Sequence, residues 1–368
     1  MPSLRLLADD LTGALDTAAE FVGLCGPVEV RWANRLPAII PQSLAIDSGT
    51  REYPRTKAAE IVHGLAPLLH NGTITYKKVD SLMRGAWPGE LAACFRLGFW
   101  RHCVMAPAFP YQERRTQGGR QFARSGDGSW GAAGADIATE LRAEGLIAVK
   151  AGLTDTLADG ISVFDAETEE DLDRVVAVGR SAPGLVIWCG SGGLARALAR
   201  GHNVRTSRRL KKPVLGLFGS DHPATAAQLS ACQVHWAEFS GPREEIRAIE
   251  RRLAETGVAL VSPGLSAGVS RDAAARRIGE ILGSVASSLP PPGTVIVAGG
   301  ETLKQLCTVL GTQSLLATAQ VAPGLPRSLM QGGVWDGVEI VSKSGAFGPP
   351  TLWRDLLIEN SLMSEGIE

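Results

Sequence analysis

Disulfide motifs and membrane-spanning runs are both lacking in this 368-residue sequence. Its six cysteines lie in apolar surroundings, form no CxxC pair and follow no secretion signal, which predicts buried thiols in a reducing cytoplasm. No apolar run approaches the ~20 residues that a bilayer-spanning helix needs. We therefore expect a cytoplasmic protein with no membrane partner.

An excess of charge of either sign is also lacking. The chain carries 37 basic and 38 acidic side chains, which give a net charge of −1. Nucleic-acid and anionic-membrane binding usually depend on a positive excess, so no nucleic-acid partner is expected, and an anionic ligand must be held by a local arrangement of side chains. The histidines and cysteines show no zinc-ligand spacing, and the ligands of any metal stay unknown at this stage.

Apolar β-rich runs alternate with Ala- and Leu-rich helical patterns along the chain. The runs are LRLLADD, SLAIDSGT, TITYKKVDS, HCVMAPAF, GLVIWCGSGG, PVLGLFGSD and TVIVAGGE. This alternation predicts an α/β protein with largely parallel or mixed sheets covered by helices. Because single cores stop growing at ~300 residues, two domains are expected, with the active site in the cleft between them.

A polar, basic segment, HNVRTSRRLKK, lacks apolar periodicity and predicts the domain boundary. The predicted division is a first domain at 1–202, a linker at 203–211 and a second domain at 212–368. The Gly-rich stretch 117–134 is predicted to be a long loop, either a mobile lid over the first sheet or disordered surface.

Two adjacent carboxylates, Asp9 and Asp10, follow the first predicted strand at the start of a helix. They could cap the helix, accept hydrogen bonds from hydroxyl groups, act as a base or hold Mg²⁺. One carboxylate is sufficient for a cap, so the second favours substrate handling.

Charged and hydroxyl side chains also follow two other predicted strands. Lys78 and Arg84 suit capture of a carboxylate, and Asp80 between them could order a hydroxyl group or a cation. An exposed, salt-bridged turn is the alternative interpretation. The neighbouring candidates are Ser81 from the same turn, and Ser48 and Arg51 from the run AIDSGTREYP.

A Pro-framed turn precedes Arg114, Arg115 and Thr116. Either the prolines simply fix a rigid loop, or one of the two arginines, for which we take Arg115, contacts the substrate or a phosphate group.

Glycine-rich junctions follow strands of the second domain, where close backbone approach and a helix N-terminus suit phosphate binding. None matches GxxxxGK[ST] or GxGxxG, which argues against a P-loop or a standard dinucleotide fold. Lys343 could balance phosphate charge. The candidates are Gly219, Ser220, Gly299, Gly300, Glu301, Thr302, Ser344, Gly345 and Gly348.

Taken in order, these motifs resemble the signature of the four-carbon acid sugar kinases. The matching segments are ADDLTGA at 8–14, YKKVDSLMRG at 76–85, APAFP with RRT at 106–116, GSDHPATAAQ at 219–228, AGGET at 298–302, and PGLPRSLMQGG followed by KSGAFG. The resemblance implies that the N-terminal domain binds a sugar acid and that the C-terminal domain binds ATP. The phosphoryl group would pass to the C4 hydroxyl of threonate, erythronate or 3-oxo-tetronate.

Carried over position by position, the resemblance implies a sugar-acid site and an ATP site. The first contains Asp10, Arg51, Lys78, Asp80 and Arg84, and the second contains Ser220, Gly299 to Thr302 and Gly345. We predict transfer with Mg²⁺ at the γ-phosphate and Asp10 as the base, with Asp80 as the next candidate. Asp9, Ser48, Ser81 and Arg115 complete the predicted substrate-binding set.

The chain departs from the family pattern DSTLRG, because Leu82 stands where a hydroxyl residue is expected. The segment after Thr116 is also shortened. Both changes fall in the substrate-binding half and bear on substrate identity. A non-catalytic sugar-acid sensor and a kinase of another hydroxy-acid or polyol are the alternatives, and a homodimer is possible.

Overall fold

The computed structural model describes residues 1–202, 206–240, 243–264 and 271–364. The chain divides into two compact units, Met1–Val204 and Arg205–Glu368. No helix in the described ranges is long and apolar enough to cross a membrane. All six cysteines are buried, as predicted.

Parallel strands form the main sheet of the first unit. Its strands are β1 (Leu4–Ala8), β2 (Val28–Trp32), β3 (Leu44–Asp47), β4 (Ile74–Lys78), β5 (His102–Ala106), β9 (Ala148–Ala151), β10 (Gly160–Phe164) and β11 (Val186–Gly190), and β6 to β8 are described below. The spatial order is β2-β3-β1-β4-β11-β5-β10-β9, and every pairing along it is parallel. Its inner strands are buried on both faces, which explains their nearly continuous apolar sequences.

Helices cover this sheet, and several of them start at a side-chain cap. They are α1 (Leu11–Cys25), α2 (Arg55–Leu65), α3 (Trp87–Phe95), α4 (Ile137–Ala143), α5 (Glu169–Ser181) and α6 (Gly192–Ala199). Asp10 caps α1, Ser191 caps α6, and Thr168 forms a capping box with Asp171 at α5. The caps at α1 and α6 fix where these helices leave the sheet edge.

The stretch predicted as a loop at 117–134 is instead part of a three-stranded antiparallel sheet. Its strands are β6 (Arg114–Gln117), β7 (Arg120–Arg124) and β8 (Trp130–Ala132). Gly118 and Gly119 adopt φ values of 61° and 75°, the conformation that a tight two-residue hairpin requires. The prediction was wrong because the strands are polar: this small sheet buries Thr116 and Gln121 rather than an apolar face.

A mixed sheet organises the second unit. Its strands are β12 (Val214–Phe218), β13 (Trp236–Phe239), β14 (Val258–Pro263), β15 (Thr294–Ala298), β16 (Ser314–Ala322), β17 (Leu325–Gln331) and β18 (Glu339–Lys343). The order is β13-β14-β12-β15-β18-β17-β16, parallel as far as β18 and antiparallel from β18 to β16. The predicted α/β class with parallel or mixed sheets is therefore confirmed.

The helices of the second unit are α7 (Pro223–Ser230), α8 (Arg243–Thr256), α9 (Arg271–Ser288), α10 (Gly300–Val309) and α11 (Leu352–Glu359). The core packs α11 against the sheet, with the Trp353 ring edge-on to Phe218 at a centroid separation of 5.9 Å.

Residues 203–205 of the predicted linker lie outside the described residues. The described remainder is bonded to the second unit: the Leu210 amide donates to Asn360 at 2.7 Å, and the Lys211 amide donates to Thr294 at 2.8 Å. The domain boundaries themselves stay a prediction.

Candidate functional site

Four neighbouring strands of the first unit, β3, β1, β4 and β11, end at the same sheet edge. The polar segments that follow them are 47–51, 9–10, 79–84 and 191–193. Ligands of parallel α/β sheets bind at this edge because the strand ends and helix N-termini meet there. Most of the sequence-predicted acceptor residues fall in the first three of these segments, whereas Lys78 is the last residue of β4 and Arg115 lies in β6.

Arg51 brings the carboxylates of the adjacent Asp9 and Asp10 together with that of Asp80, which is far from them in sequence. Its Nη2 donates to Asp9 Oδ1 at 2.7 Å and to Asp10 Oδ1 at 3.0 Å, and its Nε also donates to Asp9. Its Nη1 lies 3.2 Å from Asp80 Oδ1. The guanidinium charge of Arg51 is thus shared among carboxylates of the protein, and Arg51 organises the site.

Asp9 and Asp80 are the more firmly held of the three carboxylates. Burial raises the pKa of Asp9, but the hydrogen bonds and charges of Arg51 outweigh it, so the pKa lies below its usual value. Asp80 accepts from Arg84 Nε at 2.8 Å and from Arg84 Nη2 at 2.9 Å. Burial opposes ionisation there too, yet Arg84 and Arg51 hold the pKa of Asp80 well below its usual range.

Asp10 is the most accessible of the three. The side chain of Asp10 is 27% exposed, against 9% for Asp80 and 1% for Asp9. Its Oδ1 accepts from the Gly13 amide at 3.0 Å, and its Oδ2 accepts from the Thr12 hydroxyl at 2.8 Å. Asp10 is therefore both the N-cap of α1 and the carboxylate that a bound molecule can reach most easily.

Lys78 is a buried ammonium group beside this carboxylate. Its Nζ donates to the Val79 carbonyl at 2.9 Å, and among the described residues it makes no ion pair. A Cβ atom at Gly13 would lie 2.5 Å from Asp10 Oδ1 and 3.1 Å from Lys78 Nζ, so glycine is needed for α1 to start this close to both groups. No carboxylate of the described residues lies within ion-pair distance of Lys78, whose charge acts on Asp9, Asp16 and Asp80 from further away, so an anion can bind next to it.

A second polar network lies beneath the site. Its central residue, Glu90, was not predicted from the sequence. Lys77 Nζ lies 2.8 Å from Glu90 Oε2, with both side chains fully buried. Glu90 Oε1 accepts from Thr50 at 2.5 Å, and Thr50 lies 2.7 Å from Ser48. A single carboxylate in the otherwise apolar helix segment WPGELAACF was the available signal, because a buried charge needs a buried partner.

Ser48, predicted to bind substrate, is committed to this network. Its hydroxyl donates to the Ala8 carbonyl at 2.9 Å, and its side chain is buried. Ser81, another predicted contact, lies in the turn after β4, and its carbonyl accepts from Gln121 at 2.9 Å.

The two arginines of β6 have different surroundings. Arg115 Nη1 pairs with Glu167 at 2.8 Å, and its guanidinium lies 4.2 Å from the centroid of the Trp130 ring. Arg114 lies close enough to Asp80 and Arg84 for their charges to act on its pKa, which burial lowers. The charges of Asp80 and Arg84 thus reach Arg114, and the predicted substrate contact of Arg115 stays a prediction.

Two further acids of α1, Asp16 and Glu20, were not predicted. Burial raises the pKa of Asp16 to about 6, and repulsion by Asp10 adds to this shift. Burial also raises the pKa of Glu20 to about 8, and repulsion by Asp16 adds to it. Lys78 and Arg196 lower the pKa of Asp16 and of Glu20, respectively. One oxygen of each carboxyl group is buried without a hydrogen-bond partner.

In the second unit, the predicted glycine-rich segments converge. They follow the neighbouring strands β12, β15 and β18. A Cβ atom at Gly219 would overlap the Thr302 hydroxyl, and one at Gly345 would overlap the Ser220 hydroxyl. Gly299, with φ 108°, lies against Ser220 and Thr302. Glycine at these positions therefore lets three loops pack in direct contact.

Other predicted residues of this unit occupy supporting positions. Gly300 and Glu301 begin α10, where Glu301 is exposed and accepts from Gln305 at 2.8 Å. Lys343, expected to balance phosphate charge, is 1% exposed, and its ammonium group donates to backbone carbonyls of its own loop. His222 caps α7 by accepting from the Ala224 amide at 3.1 Å.

Family models and curated relatives match both units. A model described as a sugar-binding N-terminal domain matches residues 4–133, and one described as a nucleotide-binding C-terminal domain matches residues 215–352. The D-threonate kinase of Cupriavidus necator is 30% identical, covering 96% of this chain and 97% of the relative. That of Bordetella bronchiseptica is 29% identical, covering 97% and 96%. The 3-oxo-tetronate kinase of Pseudomonas fluorescens is 28% identical over 56% of this chain and 54% of its own.

Solved structures share the fold. A Salmonella typhimurium LT2 protein described as a tRNA synthase superposes with a TM-score of 0.76 at 20% identity, covering 98% of this chain and 100% of that chain. The Haemophilus influenzae protein HI1011 superposes with a TM-score of 0.70 at 19% identity, covering 96% and 99%. With the end-to-end match to D-threonate kinases, these findings show that the chain belongs to the four-carbon acid sugar kinase family and is a phosphotransferase with an alcohol group as acceptor.

Proposed function

We propose that this enzyme transfers the γ-phosphoryl group of ATP to the C4 hydroxyl of D-threonate. The first unit binds the acid and the second unit binds the nucleotide. D-threonate is the first candidate because relatives with this name align over 96% to 97% of the chain, whereas relatives named 3-oxo-tetronate kinase align over 54% to 58%.

The observation that carries this proposal is the position of Lys78 beside Asp10 at one sheet edge. Lys78 is a buried cation that makes no ion pair with the described residues, and a sugar acid brings one carboxylate. Asp10 is a partly exposed carboxylate beside it, and a terminal hydroxyl group can donate to it. One molecule with a carboxylate and a hydroxyl group satisfies both side chains.

In this mechanism, Asp10 orients the C4 hydroxyl group and accepts its proton as the oxygen attacks the γ-phosphorus. Arg51 fixes Asp10 relative to Asp9 and Asp80, so that the acceptor is held in place before reaction. Phosphoryl transfer depends mainly on such positioning and on electrostatic stabilisation of the phosphoryl oxygens.

Magnesium fits the glycine-rich loops of the second unit as an ion that is bound together with ATP. The described residues contain no group of three or more His, Cys, Asp or Glu side chains able to hold a metal by themselves. Mg²⁺ commonly keeps phosphate and water ligands and needs one or two carboxylates, for which Glu301 and Asp221 are exposed at the loops of the second unit. When bound, the ion would neutralise phosphate charge.

The proposal is tested by an ADP-release assay over a defined set of acceptors: D- and L-threonate, D- and L-erythronate, 3-oxo-tetronate and threitol. We expect turnover to be fastest with D-threonate and very slow with threitol, which lacks the carboxylate for Lys78. A Lys78→Met variant should raise KM for D-threonate by roughly 10- to 100-fold, the loss of one charge-assisted interaction of about 1.5–3 kcal/mol.

Two results would contradict the proposal. Binding of ADP without turnover of any of these acceptors would favour the non-catalytic sensor. Equal turnover of threitol and D-threonate would remove carboxylate recognition by Lys78 and favour a polyol kinase.

A further inference from the structure

The segment that follows β18, residues 344–349, has an unusual hydrogen-bond arrangement. Lys343 Nζ donates to the carbonyl oxygens of Ser344 at 3.1 Å, Gly345 at 2.9 Å and Phe347 at 3.0 Å. The Lys343 side chain is buried and makes no ion pair among the described residues. The Lys343 ammonium group therefore donates its hydrogen bonds to the backbone of its own loop.

Two side chains of α7 supply further donors to the same loop. Gln228 Nε2 donates to the carbonyl oxygens of Phe347 at 3.0 Å, Gly348 at 3.1 Å and Pro349 at 3.0 Å. The Thr225 hydroxyl donates to the Gly345 carbonyl at 2.9 Å. Gln228 and Thr225 are both fully buried. Five carbonyl groups of one short loop thus point at buried donors.

The direction of these carbonyls fixes the direction of the amides. In a trans peptide the C=O of one residue and the N–H of the next point in opposite directions. With the carbonyls of Ser344, Gly345 and Phe347 turned inward, the amides of Gly345, Ala346 and Gly348 turn outward. Ala346 is exposed, so this outer face is open to a ligand. Successive outward amides form an anion-binding surface.

The loop also lies against the glycine-rich turn after β12. A Cβ atom at Gly345 would overlap Ser220 Oγ and would lie 3.4 Å from His222 Cβ. The outward amides are therefore next to the loops that converge in the second unit.

Gln228 carries both an unsatisfied atom and a shared donor. Its Oε1 is buried without a hydrogen-bond partner, and an unsatisfied buried oxygen is destabilising. An apolar side chain of similar size would avoid that loss, but it would leave three carbonyls of the loop without this donor. What the glutamine supplies is a single donor group that fixes the direction of those three carbonyls.

We infer that Lys343 and Gln228 are positioning residues of the nucleotide site: they hold the carbonyls of residues 344–349 inward, so that the amides of Gly345, Ala346 and Gly348 bind phosphate oxygens of ATP. This inference rests on the proposed ATP-binding role of the second unit. It assigns Lys343 a role through the loop rather than direct contact with phosphate.

The test separates phosphate recognition from recognition of the nucleoside. Lys343→Met and Gln228→Met each remove buried donors with little change in side-chain length. Calorimetry with ADP and with adenosine should show ADP binding weakened about 10-fold or more in each variant, with adenosine binding unchanged within about 2-fold. In steady-state kinetics, KM for ATP should rise by a similar factor, while KM for D-threonate stays within about 2-fold.

Exposed residues of the same types provide matched controls. Lys304→Met on α10 and Gln233→Met before β13 should bind ADP like the wild type. Unchanged ADP binding in both buried-site variants, or an equal loss of ADP and adenosine binding, would overturn the inference. A wild-type protein that bound neither ADP nor ATP would instead overturn the proposed function together with it. Because Lys343 and Gln228 are changed separately, one folded variant is sufficient for a decision.

Discussion

At the scale of single residues, the charge of Asp10 can be removed without loss of its helix-capping hydrogen bond. Asparagine caps helices as well as aspartate does, so Asp10→Asn should leave α1 and the fold intact. It removes the carboxylate that accepts the hydroxyl proton, and we expect turnover to fall by roughly 10²- to 10⁴-fold. Measurements of kcat and of ADP affinity check this, with ADP affinity unchanged.

Asp127→Asn, at an exposed turn of the first unit, is the matched control for that substitution. It should have wild-type turnover. If Asp10→Asn were also close to wild type, Asp80 would become the candidate base.

The buried pair Lys77–Glu90 should behave differently from an exposed pair. Lys77→Met leaves Glu90 charged and unpaired in the core, and should lower the free energy of unfolding by about 3–5 kcal/mol. The double variant Lys77→Met/Glu90→Leu should recover part of this loss. Lys57→Met, which removes an exposed pair with Glu60, should change stability by less than about 1 kcal/mol. Urea unfolding of the four proteins measures these values, and equal losses in the two single variants would contradict the prediction.

Glu20 predicts a pH dependence of stability. Burial raises its pKa to about 8 in the folded protein from the usual glutamate value of 4.5. The folded state therefore keeps a proton that the unfolded chain releases. The associated stability is present in full below about pH 4.5 and is lost as the pH rises towards 8. Asp16, whose pKa is raised to about 6, acts in the same direction, and Arg196 and Glu169 also face Glu20.

Glu20→Gln should therefore lose less stability than the wild type between pH 5 and pH 8. Denaturant unfolding at several pH values across this window measures the difference. If the free energy of unfolding depended on pH equally in the two proteins, Glu20 would ionise normally in the folded state.

At the scale of elements, alanine substitutions at two helix glycines should have opposite effects on the free energy of unfolding. Gly193 lies in the first turn of α6, and a Cβ atom there would overlap the Ala108 carbonyl oxygen, so Gly193→Ala should be destabilising. Gly64 lies near the end of α2 with no atom within 4 Å of its Cβ position. Gly64→Ala should raise the free energy of unfolding by about 0.4–1 kcal/mol. Thermal and urea unfolding give both values, and a stabilised Gly193→Ala would refute the close approach of α6 to residue 108.

The elements that the sequence predicted best are the buried parallel strands. Each of the apolar runs identified at the start contains a strand, because burial on both faces leaves an uninterrupted apolar sequence. The strands β6 to β8 could not be recognised in the same way, because they are short and polar and satisfy one another through backbone pairing. Propensity and periodicity report burial of side chains, and this small sheet buries few.

The site was predicted in part, for a related reason. Residues at strand ends, such as Asp10 and Lys78, could be identified because all parallel strands of a sheet point their ends to one edge. The roles of Ser48, Arg115 and Lys343 depended on which way each side chain turns within its loop, and sequence spacing does not determine that. Glu90, Gln228 and Gln121 act from helices or strands beneath the loops, and no motif marks them.

At the scale of the whole molecule, each ligand should protect its own unit. Bound ligand stabilises the segments that it contacts, so hydrogen exchange should slow there first. With ADP, we expect protection at 219–222, 299–302 and 344–348; with D-threonate, at 9–13 and 78–84. Hydrogen exchange with mass spectrometry maps both patterns, and protection of the first unit by ADP alone would contradict the proposed division of roles.

The β6–β8 sheet has a further consequence for the engineering of this family. It is joined to the rest of the first unit through main-chain groups and through a few side chains. Gln121 donates to the carbonyls of Ser81 and Pro107, and Thr116 exchanges backbone hydrogen bonds with Ala166. Side-chain attachments come from Asp165, which accepts from the Gly118 and Gly119 amides, and from Glu167, which pairs with Arg115. Residues 114–132, moved together with Asp165 and Glu167, therefore form a cassette for transplantation between relatives. Because the charge of Asp80 reaches Arg114, such chimaeras offer a route to altered acceptor preference without redesign of the catalytic edge.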